Sequence, residues 1–255
     1  MINQNNEGTP RVAVVTGAAA GLGRAISERL ILDGYQVVLA DVNLKAARAT
    51  AADLGRSAAA EHVDIGQPES IKHLFERVKD GIGRCDVLIN NAGIAAFAPF
   101  ADFPLEQWQR TVDINLTGSL LMGQQAAALM RSAKYGRIVN ITSVSGMLAG
   151  FGRTAYGTSK TALIGLTRQM AIELAPYGIT VNSVAPGPVE TAQAKAVHSD
   201  GMREEYLARI PFKRYGHAEE IAAAVSFLAS EGASFITGHN LPVDGGFTAA
   251  GLQSS

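Results

Sequence analysis

An α/β fold on a doubly wound parallel sheet is predicted by three observations. Apolar runs of strand length alternate with longer amphipathic stretches along all 255 residues. A glycine-rich turn from Gly17 to Gly23 joins the first run to the first amphipathic stretch. No linker, repeat or low-complexity run divides the chain, so a single domain, 1–255, is expected. Strands buried on both faces of such a sheet read as near-continuous hydrophobics, and helices pack over each face.

The first strand is expected at 11–16 and is followed by a helix at 21–33. A second strand at 36–40 leads to a helix at 44–54, and a third at 57–63 to a helix at 68–81. The fourth strand, 87–89, precedes a long helix at 105–132; the fifth, 137–142, precedes another at 155–174. Strands at 180–184 and 240–243 bracket a last helix at 218–230. Gly34, Gly83, Gly136 and Gly178 stand where helices turn back into strands, as left-handed caps do. The segment 187–216 breaks the rhythm with a polar stretch and a short amphipathic run at 202–210. It is long for an α/β connection and follows a strand end, the rim where open sheets bind ligands. A lid over a site is expected there, with a surface excursion as the alternative.

Composition narrows the function classes. Apolar content of 47% against 18% charged residues describes a well-filled core. A formal charge of −1 gives no basic field for nucleic acid. The lone cysteine, Cys85, permits no intrachain disulfide and suits a reducing compartment. Met1 to Pro10 is polar, and no apolar run reaches the length of a membrane span. The expectation is a cytoplasmic protein with a small-molecule substrate, no nucleic acid, no membrane and no bound metal.

Chemistry is concentrated at predicted strand ends. In Thr16-Gly17-Ala18-Ala19-Ala20-Gly21-Leu22-Gly23, Gly17 permits a tight turn, Gly21 lets backbone approach phosphate, and Gly23 allows close helix–strand contact. The helix that follows offers unpaired N–H groups to a pyrophosphate. Asp41, after the second strand, can accept both ribose hydroxyls and repels a 2′-phosphate, which points to NAD; helix capping is its simpler role. Arg24 and Lys45 are the nearest cations that would counter that preference. Asp64 follows the third strand and can bond an adenine amino group, while Asn90-Asn91-Ala92-Gly93 follows the fourth.

The fifth strand leads into Ser143, with Ser145 as a competitor for the same role of orienting a substrate oxygen. Tyr156 and Lys160 lie one helical turn apart, so phenol and ammonium share a face. A nearby ammonium favours the phenolate and suits Tyr156 to proton transfer. Asn115 sits inside the long predicted helix, where asparagine is a weak former. Holding a water in a relay to Lys160 is one reason for it; a local backbone contact that bends the helix is the other.

These motifs resemble those of the classical short-chain dehydrogenase/reductase family over essentially the whole chain. The Thr-Gly-x-x-x-Gly-x-Gly loop, Asn90 to Gly93, Asn115, Ser143, Tyr156, Lys160 and Pro186-Gly187 all match. The resemblance implies a Rossmann-type sheet of seven parallel strands, a homotetramer, and hydride transfer between a nicotinamide cofactor and an alcohol or ketone. It implies catalytic roles for Asn115, Ser143, Tyr156 and Lys160. It further implies that Leu22, Ile65, Pro186, Gly187, Val189 and Thr191 join Gly17, Gly21, Gly23, Asp41, Asp64, Asn91, Ala92 and Gly93 around the cofactor.

The substrate is less legible. Ala95, Ala96, Phe97, Met147, Leu148 and Phe151 are expected to give an apolar pocket. Arg153 could receive a carboxylate or phosphate, or face solvent or a neighbouring subunit. His198, Arg203, Arg209, Lys213 and Arg214 make the excursion basic, either to steer an anion or as a solvated face. The first reading is an NAD-dependent dehydrogenase of a small secondary alcohol, polyol or sugar. The second is a reductase of 3-oxoacyl thioesters using NAD(P)H, against which Ile172 stands where a base would meet an acidic carrier. A nucleotide-sensing scaffold is third, and the intact Ser143, Tyr156 and Lys160 argue against it.

Overall fold

The computed structural model describes residues 10–251; of the polar segment Met1 to Pro10, only Pro10 falls among them. β1 (Val12–Thr16) and β2 (Gln36–Asp41) flank α1 (Gly21–Leu32) in sequence, and α2 (Leu44–Leu54) leads to β3 (Ala58–His62). α3 (Pro68–Gly81) then precedes β4 (Val87–Asn90). α4 (Leu105–Val112), a π-helical turn (Asp113–Thr117) and α5 (Gly118–Ala133) lead to β5 (Gly136–Ile141). α6 (Thr154–Leu174) and β6 (Ile179–Pro186) are followed by α7 (Ala192–Val197), α8 (Asp200–Arg209), α9 (Ala218–Ala229) and β7 (Asn240–Val243). The strands form one seven-stranded sheet in the order β3-β2-β1-β4-β5-β6-β7. Every pairing is parallel. This is the Rossmann-type α/β sheet that the sequence predicts.

Strand alternation divides the core between the two faces. Ala13 and Val15 of β1 point toward Ile26 and Leu30 of α1 and Val225 and Leu228 of α9. Val12 and Val14, on the opposite face, join Leu74 and Phe75 of α3 and Met122 and Met130 of α5. The order reverses between β1 and β4, which leaves a crevice above their carboxyl ends.

Three expectations change. The predicted third strand is shorter and half-exposed rather than buried, because it lies at the sheet edge with one neighbour. The predicted helix 105–132 is interrupted at its centre by the π turn, which carries Asn115. Gly136 opens β5 instead of capping a helix; Lys134 takes the left-handed position at φ 50°.

The excursion 187–216 returns to where it leaves. Val189 pairs with Gly216 in an isolated parallel bridge, and the Gly216 N–H donates to Pro188 O at 3.0 Å. Between these ends it carries α7, unread in the sequence, and α8, which overlaps the expected run at 202–210.

Candidate active site

The carboxyl ends of the strands enclose a cavity of about 590 Å³. At one end it is lined by Gly17, Gly21, Leu22, Gly23 and Asp41. Asp64, Ile65, Asn91, Ala92 and Gly93 continue the wall. Ser143, Tyr156 and Lys160 border the middle, and Pro186, Gly187, Val189 and Thr191 close the far side. Of the residues predicted for catalysis and cofactor binding, only Asn115 does not reach the cavity; it is fully buried behind it.

Backbone geometry at the glycine loop fits a dinucleotide phosphate. A Cβ on Gly23 would stand 2.1 Å from Gly17 O, so only glycine lets α1 sit this close to the turn. Ala20 caps α1 without a side-chain hydrogen bond, leaving the first-turn N–H groups to a ligand. Asn91 Nδ2 donates to Thr16 O at 2.9 Å and Gly17 O at 3.2 Å, tying the fourth strand end to the loop. Thr16 is a residue whose role the sequence reading missed. Its hydroxyl donates to Ile89 O at 3.3 Å and accepts from the N–H groups of Asn91 and Ala92, each at 3.0 Å.

Asp41 is held by two backbone donors, Ala19 N–H at 3.0 Å and Asn43 N–H at 2.9 Å. Arg24, one of the two cations that could counter it, pairs with Asp53 at 3.4 Å. Asp64 accepts from Gly66 N–H at 2.9 Å. Thr191 caps α7 by accepting from Ala194 N–H at 3.1 Å.

Ser143 and Ser145 separate in space. Ser143 Oγ accepts from Ser145 N–H at 3.1 Å, and its hydroxyl favours the ionised form of the nearby Tyr156 phenol. Ser145 Oγ accepts instead from Arg153 Nη1 at 3.1 Å. Burial pushes the Tyr156 phenol above its ordinary range, and Ser143 and the Arg153 charge offset this only in part. The expectation that Lys160 depresses this phenol is not met in this structure. Lys160 Nζ lies 5.8 Å from the ring centroid and donates to Ile141 O at 2.7 Å. Burial holds its ammonium down at about 8.

Asn115 makes the backbone contact that was one of its two expected reasons, at the break in the helix. Its Oδ1 accepts from Ile94 N–H at 2.8 Å, while Nδ2 donates to Ile94 O at 2.9 Å and Ser159 Oγ at 3.0 Å. These bonds fix the turn at Gly93 and Ile94. A Cβ on Gly93 would meet both Asn115 Oδ1 at 3.1 Å and Lys160 Nζ at 3.4 Å, so the three residues converge there. A further buried chain runs from Asn90 Nδ2 to Asn140 Oδ1 at 2.9 Å, then from Asn140 Nδ2 to Thr167 Oγ1 at 2.9 Å. Nothing in the sequence links those three residues.

Toward the substrate side the walls are Ala95, Phe97, Val144, Val197 and Tyr206, with Arg153 and His198 among them. Arg153 therefore faces the cavity. Met147, Leu148 and Phe151 are exposed and do not line the cavity, contrary to expectation.

Known proteins place this architecture. The sequence model described as enoyl-(acyl carrier protein) reductase matches residues 17–248. The chain is 39% identical to the 3-oxoacyl-[acyl-carrier-protein] reductase FabG of Aquifex aeolicus, over 92% of this chain and 96% of that protein. It is also 39% identical to the NAD-dependent glycerol dehydrogenase of Listeria innocua, over 94% of each. Among solved structures, a proposed gluconate dehydrogenase from Agrobacterium tumefaciens superposes with a TM-score of 0.91. It is 33% identical, over 94% of this chain and 96% of that one. An oxidoreductase working on a carbonyl/alcohol pair with a nicotinamide dinucleotide is what fold, cavity and relatives describe together. The chain belongs to the short-chain dehydrogenase/reductase family.

Proposed function

We propose that the protein transfers hydride between NAD(H) and a secondary alcohol/ketone pair at Tyr156. The observation that carries this reading is the single cavity bordered by the glycine loop, Asp41, Ser143, Tyr156 and Lys160. The glycine loop and the first turn of α1 would hold the pyrophosphate, Asp41 the adenosine ribose, and Asp64 and Ile65 the adenine. Asn91, Ala92, Gly93, Lys160 and the stretch from Pro186 to Thr191 would hold the nicotinamide half. When bound, the cofactor supplies the hydride acceptor or donor. The Tyr156 phenol exchanges a proton with the substrate oxygen, and Ser143 donates to that oxygen as negative charge builds on it. Lys160 places a positive charge beside the reacting pair, and Asn115 is a positioning residue that sets the turn behind it.

The cofactor is read as NAD because both Asp41 oxygens are fixed at the ribose end and Arg24 is engaged elsewhere. The Listeria relative, named as NAD-dependent, supports this choice. The excursion 187–216 is read as a lid, since Thr191, Val197, His198 and Tyr206 on it line the cavity. For the substrate, the relatives weigh toward the second reading, 3-oxoacyl thioesters, more than toward a small alcohol, polyol or sugar. A homotetramer is the assembly this reading carries.

A panel of secondary alcohols, polyols and 3-oxoacyl thioesters, assayed with both cofactors by absorbance at the NADH band, tests the class and direction. Asp41→Ala should weaken NAD binding about tenfold or more and relax discrimination against NADP. Dissociation constants for both cofactors that do not move would remove Asp41 from the ribose site.

A further inference from the structure

Arg153 is a cation in the cavity without a carboxylate partner. Its guanidinium lies between the rings of Phe97 and Tyr206, 5.1 and 5.9 Å from their centroids. Nη1 donates to Ser145 Oγ at 3.1 Å, and Nη2 has only the weak acceptor Met202 Sδ at 3.9 Å. Among the described residues no carboxylate comes within 4.0 Å of it. The arginines of the excursion differ. Arg203 is paired with Glu190, Arg214 with Glu220 through two bonds of 2.8 and 2.7 Å, and Arg209 with Glu205 at 3.8 Å. The basic character read in the sequence is thus largely neutralised within the excursion, and Arg153 remains.

A half-buried guanidinium among aromatic rings is costly unless something compensates it, and its planar fork matches a carboxylate. Its neighbours bring no second unpaired charge, since Arg203 is paired with Glu190. His198 shares the cavity, but burial and the charges of Arg153 and Arg203 push its imidazole below the ordinary range; it is neutral at pH 7. A single cation suits a carboxylate monoanion better than a phosphate dianion. The link to the reacting groups is short: Arg153 bonds Ser145 Oγ, and Ser145 N–H bonds Ser143 Oγ, each at 3.1 Å.

We infer that Arg153, with Ser145, binds a carboxylate on the substrate, so that the substrate is a compact hydroxy acid and its oxo acid. This rests on the oxidoreductase reading above and names its substrate class. It sets a free acid apart from both a neutral polyol and a carrier-bound thioester, neither of which brings a carboxylate to this point.

The test compares matched pairs: gluconate against glucitol, and 3-hydroxybutanoate against its methyl ester, with NAD as oxidant. A charge-assisted bond of this kind makes the acid better in kcat/KM by about 10- to 100-fold. Arg153→Met should erase that ratio, chiefly through KM, while Arg153→Lys restores part of it. Because Arg153 also acts on the Tyr156 phenol, a pH-profile shift shared by acid and neutral partner is a separate effect from the ratio. Calorimetric binding of each compound to Tyr156→Phe with NADH gives a readout independent of turnover. Acids that bind there through Arg153 but are never oxidised by the wild type would sink the redox reading and leave the carboxylate site standing. Three results overturn the inference: an acid preference that survives Arg153→Met, equal binding of acid and neutral partner, or no binding of either acid.

Discussion

Lys160 shows how a functional side chain works against stability. It is 4% exposed, has one backbone acceptor, and has no carboxylate within ion-pair distance among the described residues. Its ammonium sits at about 8 in the fold, against roughly 10.4 in an unfolded chain. Below pH 8 both states are charged, and the buried charge weakens the fold by its full amount. As pH rises from 8 to about 10.4 the folded state loses its proton first, so the unfolded state binds more protons and stability increases. Denaturant unfolding of the cofactor-free protein should therefore show the wild type gaining on Lys160→Met across that window, by up to about 3 kcal/mol. A stability difference that stays flat with pH would mean the ammonium is solvated. The identity of Lys160 as a site residue was legible from its spacing to Tyr156. Its effect on the phenol was not, because periodicity gives a shared face and says nothing of the Ile141 carbonyl that draws the ammonium inward.

At the scale of elements, the π turn between α4 and α5 has a clear cause and effect. One extra residue per turn turns Asn115 inward, where its amide pairs with both backbone groups of Ile94 and with Ser159 on α6. A regular helix through 105–132 would spread those contacts differently. Asn115→Ala leaves the part-buried N–H and C=O of Ile94 without partners at once and removes the donor to Ser159 Oγ. We expect a loss of about 3 kcal/mol in stability, measured by denaturant unfolding, together with a drop in kcat. Retention of wild-type stability would show that the turn is held by packing alone. The sequence marked Asn115 as odd for a helix and still gave one continuous helix, since the apolar spacing runs through the break. The alternation of strands with helices and the glycine loop were readable because both depend on local chemistry. The Asn90–Asn140–Thr167 chain was not, since it joins residues from three elements that only the sheet brings together.

The molecule as a whole leaves large side chains uncovered away from the cavity. Phe151 is 93% exposed, Ile172 on α6 76%, and Phe235 is fully exposed. Isolated exposed apolar residues are ordinary, but these sit on or beside α6 and β7, and the family resemblance implies a tetramer built through the long helices and the C-terminal strand. Light scattering on the purified protein should give a particle of four chains, each 26.7 kDa. A monomer across the micromolar range would remove that assembly. The pairing of Val189 with Gly216 has its own consequence. Because both ends of the segment are stitched together at the sheet rim, its interior is free to diverge in length and side chains while the strands beneath keep their register. Evolution can thus retune what the enzyme accepts by rewriting one closed insert. A transplant of residues 192–216 between relatives would carry its preferences along and leave the nicotinamide stretch from Pro186 to Thr191 where it was.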